Sequence, residues 1–261
     1  MTTNPTAAIL IIGDEILSGR TIDSNVNTLA RFLAVLGIDL MEVRMVHDIE
    51  AQIVTSVNAL RAAYDYVFST GGIGPTHDDI TADCMARAFG VEISEHPVAL
   101  KLLTDRAEAM GWALNINSRR MARIPHGAEL IKNPVSAAPG FQLGNVFVMA
   151  GVPKIMEAML EDVAPRLRTG RQVVSRTLKL SYVGESSAAD ALREIDARYP
   201  EVSLGSYPYG LSLNGEFGTH LVIRGQDAGQ VAAAMDDLKA ALGAVVEDGR
   251  TRNPLASFHE I

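Results

Sequence analysis

Tyr66-Val67-Phe68-Ser69-Thr70-Gly71-Gly72-Ile73-Gly74-Pro75-Thr76-His77-Asp78-Asp79-Ile80-Thr81 is a passage from strand to helix that carries both an architecture and a chemistry. The β-type run Tyr66–Thr70 ends in Gly71, Gly72 and Gly74. Glycines at the end of a strand let backbone N–H groups point into one concavity, and such a concavity binds phosphate. The competing reading is a tight turn needing positive φ, which demands fewer glycines. Pro75 and Thr76 extend the loop, and Asp78 and Asp79 then enter a segment of helical spacing. Two carboxylates beside phosphate repel it unless a cation lies between them. The run therefore predicts a metal–phosphate site, most simply Mg²⁺ or another divalent cation on oxygen ligands. A plainer role for the two acids is at a helix N-terminus, where each adds about 0.3–1 kcal/mol through the helix dipole. Thr76 is also available there as a cap.

Outward from this run, the first two-thirds of the chain alternates apolar runs with amphipathic segments. Ala7–Ile12 is continuously apolar, as a central parallel strand buried on both faces should be. Asn25–Leu36 repeats apolar residues at Leu29, Phe32, Leu33 and Leu36, a helical spacing, and Gly37 follows as a stop signal. Ile38–Val46 reads as a strand, Ile49–Ala63 as a helix, and Ile80–Phe89 and Pro97–Met110 as further helices. Phe141–Met149 reads as one late strand, followed by Gly151-Val152-Pro153 and a helix from Lys154 to about Leu167. Repeated strand-then-helix units predict a three-layer α/β/α domain with a mostly parallel sheet, over residues 1–170. Beyond Gly170 the character changes. Thr177–Val183, Val202–Tyr207 and Thr219–Arg224 read as strands, the last two around a turn-rich Pro208–Gly218. Ser187–Tyr199 and Ala228–Leu242 read as helices, and Ala244–Glu247 as a last strand. That order, β-α-β-β-α-β, predicts a small ferredoxin-like α+β domain over 171–249, with a loose polar tail over 250–261.

Composition narrows the function classes. A net charge of −8 opposes general affinity for nucleic acid or for an anionic membrane, so an anionic ligand must be held by local amides, a few arginines or a metal. One cysteine, Cys84, cannot form an intramolecular disulfide, which fits a reducing compartment. Met1–Thr6 lacks the layout of a signal peptide, and no apolar run approaches the roughly 20 residues that span a bilayer. A cytoplasmic protein is expected, and an apolar sheet domain with an appended small domain is expected to self-associate.

In an open parallel sheet, ligands bind where the C-terminal ends of strands meet the following loops. Four segments fall at that edge: Gly13–Gly19 with Asp14 and Glu15, His47-Asp48, Gly71–Asp79, and Gly151-Val152-Pro153. A loop acid at Asp14 can hydrogen-bond a ligand hydroxyl or cap the next turn, and Asp48 can cap the helix at Ile49. Asn115, Asn117, Ser118, Arg119, Arg120 and Arg123 form a polar and basic cluster in an acidic chain. Arginine suits bidentate phosphate contacts, although on a helix it is more often solvated. His47, His77 and His96 lack metal-ligand spacing, and no lysine follows the glycine loop as in a Walker motif.

Gly13-Asp14-Glu15-Ile16-Leu17, the Gly71–Thr81 run, Ala138-Pro139-Gly140-Phe141 and Gly151-Val152-Pro153 together resemble the molybdopterin-binding (MoaB/Mog-type) domain. The variety is that of the N-terminal part of CinA-type, competence/damage-inducible proteins. Val183-Gly184-Glu185-Ser186 and the pattern after it resemble the small domain that follows in those proteins. The resemblance implies either metal-dependent hydrolysis of nucleotide diphosphates such as ADP-ribose or FAD, or adenylylation of molybdopterin. A non-catalytic nucleotide-binding module is the third reading. The resemblance places Asp48 and Asp79 on catalytic aspartate positions and Asp14 on the family's Gly-Asp-Glu motif; from the residues themselves, Asp79, Asp78 and Asp14 are the expected metal ligands. Gly71, Gly72, Gly74, Pro75, Thr76, Asp14 and Gly151 fall on the ligand-binding motifs. Two positions depart from the CinA pattern: Met149-Ala150 replaces Leu-Pro before Gly151, and Ile155 stands where an acid is usual. The C-terminal amidase domain of CinA is not in the sequence, so deamidation of nicotinamide nucleotide is not expected.

Overall fold

A computed structural model describes residues 4–210, 215–247 and 255–261. The chain divides into two compact units, Met1–Gly170 and Arg171–Ile261. The first unit opens with β1 (Thr6–Ile12), α1 (Asp14–Leu17), α2 (Asn25–Val35), β2 (Asp39–Val46), α3 (Glu50–Ala63) and β3 (Tyr66–Thr70). It continues with α4 (Thr81–Phe89), β4 (Ile93–Glu95), α5 (Pro97–Ala109), α6 (Ile116–Arg119) and β5 (Arg123–Pro125). It closes with β6 (Glu129–Ile131), β7 (Gly140–Leu143), β8 (Val146–Met149) and α7 (Pro153–Val163).

Six of these strands form one sheet in the order β2-β1-β3-β8-β7-β6. β2, β1, β3 and β8 run parallel, while β7 lies antiparallel to both β8 and β6. The continuous apolar run of β1 is explained by burial on both faces. Ala8, Leu10 and Ile12 pack with Ile53, Val57 and Leu60 of α3 and Met85 of α4. Ala7, Ile9 and Ile11 point the other way, onto Leu29 and Leu33 of α2 and Met156 and Met159 of α7. Alternate side chains therefore feed two separate cores, which is the three-layer arrangement. On the α2/α7 face Phe68 and Phe147, both fully buried, stack at 5.3 Å across neighbouring strands.

The single late strand read over Phe141–Met149 is instead a hairpin. Gly144, with φ 57°, turns the chain at Gly144-Asn145, and Leu143 pairs with Val146. A two-residue turn needs positive φ, which glycine accepts without a Cβ clash. Each arm is only four residues long and mostly buried, so periodicity alone does not show the reversal.

The second unit contains β9 (Val174–Ser181), α8 (Glu185–Arg198), β10 (Ser203–Tyr209), β11 (Gly218–Gly225), α9 (Ala228–Glu247) and β12 (Ser257–Glu260). Its sheet order is β10-β11-β9-β12, with antiparallel neighbours, and one face packs on α8 and α9 through Ile195, Leu221, Met235 and Leu238. Two expectations are corrected here. Ala244–Glu247 is the end of α9, not a strand, because a helix already nucleated propagates through a short β-prone pair such as Val245-Val246. The fourth strand comes from the tail, which is therefore not loose over its last residues: Phe258 packs on the core and β12 pairs with β9. Met1–Thr3, residues 211–214 of the turn-rich stretch, Asp248-Gly249 and tail residues 250–254 lie outside the described residues.

The tail strand is also held by charge. Arg176 and Lys239 both donate to the Glu260 carboxylate, with Arg176 Nη2 at 2.7 Å and Lys239 Nζ at 2.6 Å. These bonds, that from Arg176 foremost, pull the Glu260 carboxyl from 4.5 down to about 2. A depressed folded pKa contributes stability above the unfolded value that disappears as pH falls through the folded one. Wild-type protein is expected to melt above Glu260→Gln at pH 7, with the gap closing between pH 4.5 and about 2. Paired thermal melts over that range check it, and a gap independent of pH refutes it.

Among the described residues no helix is long and apolar enough to cross a membrane.

Candidate functional site

The loops after β1, β2, β3 and β8 meet at one edge of the sheet, and contact with the strand ends forces the glycine loop into its shape. Gly71 has φ 102° and Gly72 has φ 66°, both in the left-handed region. A Cβ on Gly71 would lie 2.0 Å from the Ile12 carbonyl oxygen, and one on Gly72 would lie 2.1 Å from Thr81 Oγ1. Gly151 stacks on the same loop, its missing Cβ 3.2 Å from Gly71 Cα. Thr81, fully buried at the start of α4, pins the loop from below. Its hydroxyl donates to Gly71 O at 3.0 Å and its N–H to Gly72 O at 3.0 Å. Asn25, only 4% exposed at the start of α2, ties the loop after β8 to the end of β3. Its Nδ2 donates to Gly151 O at 2.8 Å and to Thr70 Oγ1 at 3.4 Å, while its Oδ1 is buried without a partner. Sequence reasoning takes Asn25 only as the first residue of a helix. The one local signal is a polar side chain opening an otherwise apolar face directly behind the site.

Asp14 and Asp48 are brought together by a reciprocal contact between the loops after β1 and β2. The Asp14 N–H donates to Asp48 Oδ2 at 3.0 Å, and the Asp48 N–H to Asp14 Oδ1 at 3.3 Å. His47 Nδ1 lies 2.8 Å from the same Asp14 oxygen. Asp48 sits beside the glycine loop, its Oδ1 3.5 Å from where a Gly72 Cβ would be. Burial pushes the Asp48 carboxyl up from its ordinary range. The Asp14 N–H works against that shift, and the negative charges of Asp14, Glu15 and Asp78 add to it.

Asp78 and Asp79 are placed differently from the helical entry expected of them. α4 begins at Thr81 with Ile80 in the cap position, so both acids lie in the loop and the first-turn acid is Asp83. Thr76 is likewise not the cap. Its N–H donates to Asp79 Oδ2 at 2.7 Å, and its hydroxyl donates to the same oxygen. Asp79 thus closes the loop around Gly74 instead of joining the Asp14–Asp48 pair. Pro75, Thr76 and Asp78 are exposed at the loop's tip.

Among the described residues no three His, Cys, Asp or Glu side chains are grouped to hold a metal ion, so Asp14, Asp78 and Asp79 are not a ready-made cage. The donor set still suits a hard cation that arrives with phosphate. Mg²⁺ is usually held by one or two carboxylates plus substrate oxygens, and the negative charges of Asp14 and Asp78, both felt by Asp48, put two such acids beside the loop.

Two clefts flank the loop. One is lined by Gly72, Gly74, Asp79, Arg120, Arg123 and Phe141 among others. The other is lined by Glu15, Ser24, Asn25, Thr70, Gly71 and Gly151 among others. The residues that depart from the CinA pattern have a packing account: Ala150 and Ile155 both lie against the core beneath α2 and α7. Cys84 is buried and its thiol is pushed up to about 12, chiefly by burial, so it is not a nucleophile at neutral pH.

This geometry meets its relatives in three comparisons. Residues 8–169 match the family described as "Probable molybdopterin binding domain", and residues 172–248 match "FAD synthase, middle domain". A protein of Pyrobaculum calidifontis is 34% identical over 218 residues, covering 80% of this chain and 83% of that protein. A "CinA-like protein" of Desulforapulum autotrophicum is 35% identical over 211 residues, 76% of this chain but 50% of the relative, so the chain spans about half the length of that relative. The crystal structure of a CinA protein from Thermoplasma acidophilum, at 32% identity and TM-score 0.58, covers 63% of this chain and 99% of that one. With its glycine loop, its sheet and more than half its length matched, the chain belongs to the molybdopterin-binding domain family, its first unit being a CinA-type N-terminal domain.

Proposed function

We propose that the chain is a divalent-metal-dependent hydrolase of nucleotide diphosphates, with ADP-ribose and FAD as representative substrates. The observation that carries this reading is the placement of Asp48, its pKa raised, beside a glycine loop held open at the sheet edge. The amides of Gly71–Gly74 hold the diphosphate, and Pro75, Thr76 and Gly151 border it. Water attacks one phosphorus in line, the bridging P–O bond breaks, and the proton lost by water goes to Asp48. A carboxylate of raised pKa is the better base near neutrality. Asp79 keeps Thr76 and the loop tip in register. A divalent cation held by Asp14 and Asp78 would neutralise charge on the phosphoryl oxygens. The match of residues 172–248 to a domain of FAD synthase supports a dinucleotide as substrate.

A second reading, adenylylation of molybdopterin, draws on the presence of two clefts at one loop, since a transfer reaction seats both a nucleotide and an acceptor. The test is incubation of pure protein with ADP-ribose, FAD or NAD, with Mg²⁺ or Co²⁺, or with EDTA. AMP is expected from at least one substrate only when metal is present. Absence of AMP from all three overturns the hydrolase, and adenylylated pterin formed from ATP instead establishes the second reading.

A further inference from the structure

Three arginines that the sequence groups together meet different fates in the fold. Arg119 is engaged by Glu95 through Nε at 3.0 Å and Nη2 at 2.6 Å. Arg123 is engaged by Asp83 at 2.5 Å. Arg120, between them, has no carboxylate within ion-pair distance among the described residues. Its one hydrogen bond is long, from Nη2 to the Asp79 carbonyl at 3.4 Å, and its Nε is buried without a partner. A guanidinium has five N–H donors, and a buried unmet donor on a charged group is costly. Such a group, half-buried beside the glycine loop, is under-bonded within the chain itself.

The cleft it lines indicates what completes its bonding. Gly72 and Gly74 form one wall and Asp83 is neutralised by Arg123, while Asp79 turns an oxygen to Thr76, so Arg120 is the cation there that no carboxylate engages among the described residues. We infer that Arg120 is the residue that binds and positions an anionic phosphate of the ligand, clamping it against the Gly72–Gly74 amides. The phosphate belongs to a nucleotide diphosphate if the proposed hydrolase holds, and the inference rests on that reading for the identity of the ligand alone. Arginine matters through its planar fork, which takes two phosphate oxygens together, whereas lysine offers a point charge.

Two readouts on wild type, Arg120→Gln, Arg120→Lys and Arg119→Gln test it. The first is calorimetric binding of inorganic pyrophosphate with Mg²⁺, which needs no turnover. The second is kcat and KM for whichever substrate releases AMP. Arg120→Gln is expected to weaken pyrophosphate binding and raise KM by about 10- to 100-fold. Arg120→Lys recovers little of this, and Arg119→Gln behaves as wild type. Melting temperatures within a few degrees of wild type guard against misfolding. If Arg120→Gln fails to fold, Arg120→Lys carries the test alone, because it keeps the charge and removes only the fork. Unchanged binding and KM in folded Arg120 variants overturn the inference while leaving any hydrolase activity standing. Arg120-dependent pyrophosphate binding without AMP release upholds the inference and overturns the hydrolase.

Discussion

Asp48→Asn is expected to lower the kcat of diphosphate hydrolysis by about a hundredfold or more, and to raise the melting temperature at pH 7. Loss of activity follows from removing the proposed base. The gain in stability follows from the environment that raises the Asp48 carboxyl. Burial, together with the charges of Asp14, Glu15 and Asp78, disfavours the ionised carboxylate in the folded state. A raised folded pKa contributes stability that is fully present below the unfolded value and is lost as pH rises through the folded one. Wild type thus becomes less stable relative to the variant as pH climbs from the ordinary aspartate range, 3.8, towards 7, and the two converge in acid. Asparagine keeps an oxygen for the Asp14 N–H, so the contact between the two loops survives. Melts of both proteins from pH 3.5 to 7.5, with single-turnover assays, check the pair of effects. A variant that loses both activity and stability at every pH would make Asp48 a structural residue only.

The parts of this site that sequence reveals are those set by local backbone demands. Gly71 and Gly72 face a backbone carbonyl and a buried threonine at distances no Cβ fits, so their identity announces the close approach. β1 is legible for a related reason, since burial on both faces leaves a continuous apolar run over Ala7–Ile12. What depends on partners far along the chain is not legible. Asn25 does open α2, as its spacing predicts, but its tie to Gly151, 126 residues later, is a property of the fold. The charge on Arg120 is visible in sequence, but that Glu95 and Asp83 engage its neighbours and not it is a property of the fold. β4, β5 and β6, three residues each, carry no period long enough to read.

Gly71→Ala tests how far the fold itself depends on this loop. The added methyl would stand 2.0 Å from the carbonyl oxygen of Ile12, and that oxygen belongs to the backbone of a fully buried central strand. Neither partner can swing away as a side chain could. The position also has φ 102°, where a Cβ is strained whatever the space around it. Strain of about 1–3 kcal/mol and overpacking of about 1–3 kcal/mol together remove a large part of a typical stability of about 5–15 kcal/mol. Gly71→Ala is therefore expected to unfold at markedly lower urea than wild type, or to accumulate as insoluble protein. Gly74→Ala is the control that separates strain from function. Its methyl meets Asp79 Oδ2 at 2.6 Å, the end of a side chain that can rotate, and its φ is not in the left-handed region. That variant should unfold within about 1 kcal/mol of wild type, yet lose the Asp79–Thr76 clasp and with it ligand affinity. Equal unfolding midpoints for the two variants would show that the loop yields as a whole, and that the close approach to Ile12 does not constrain the sheet edge.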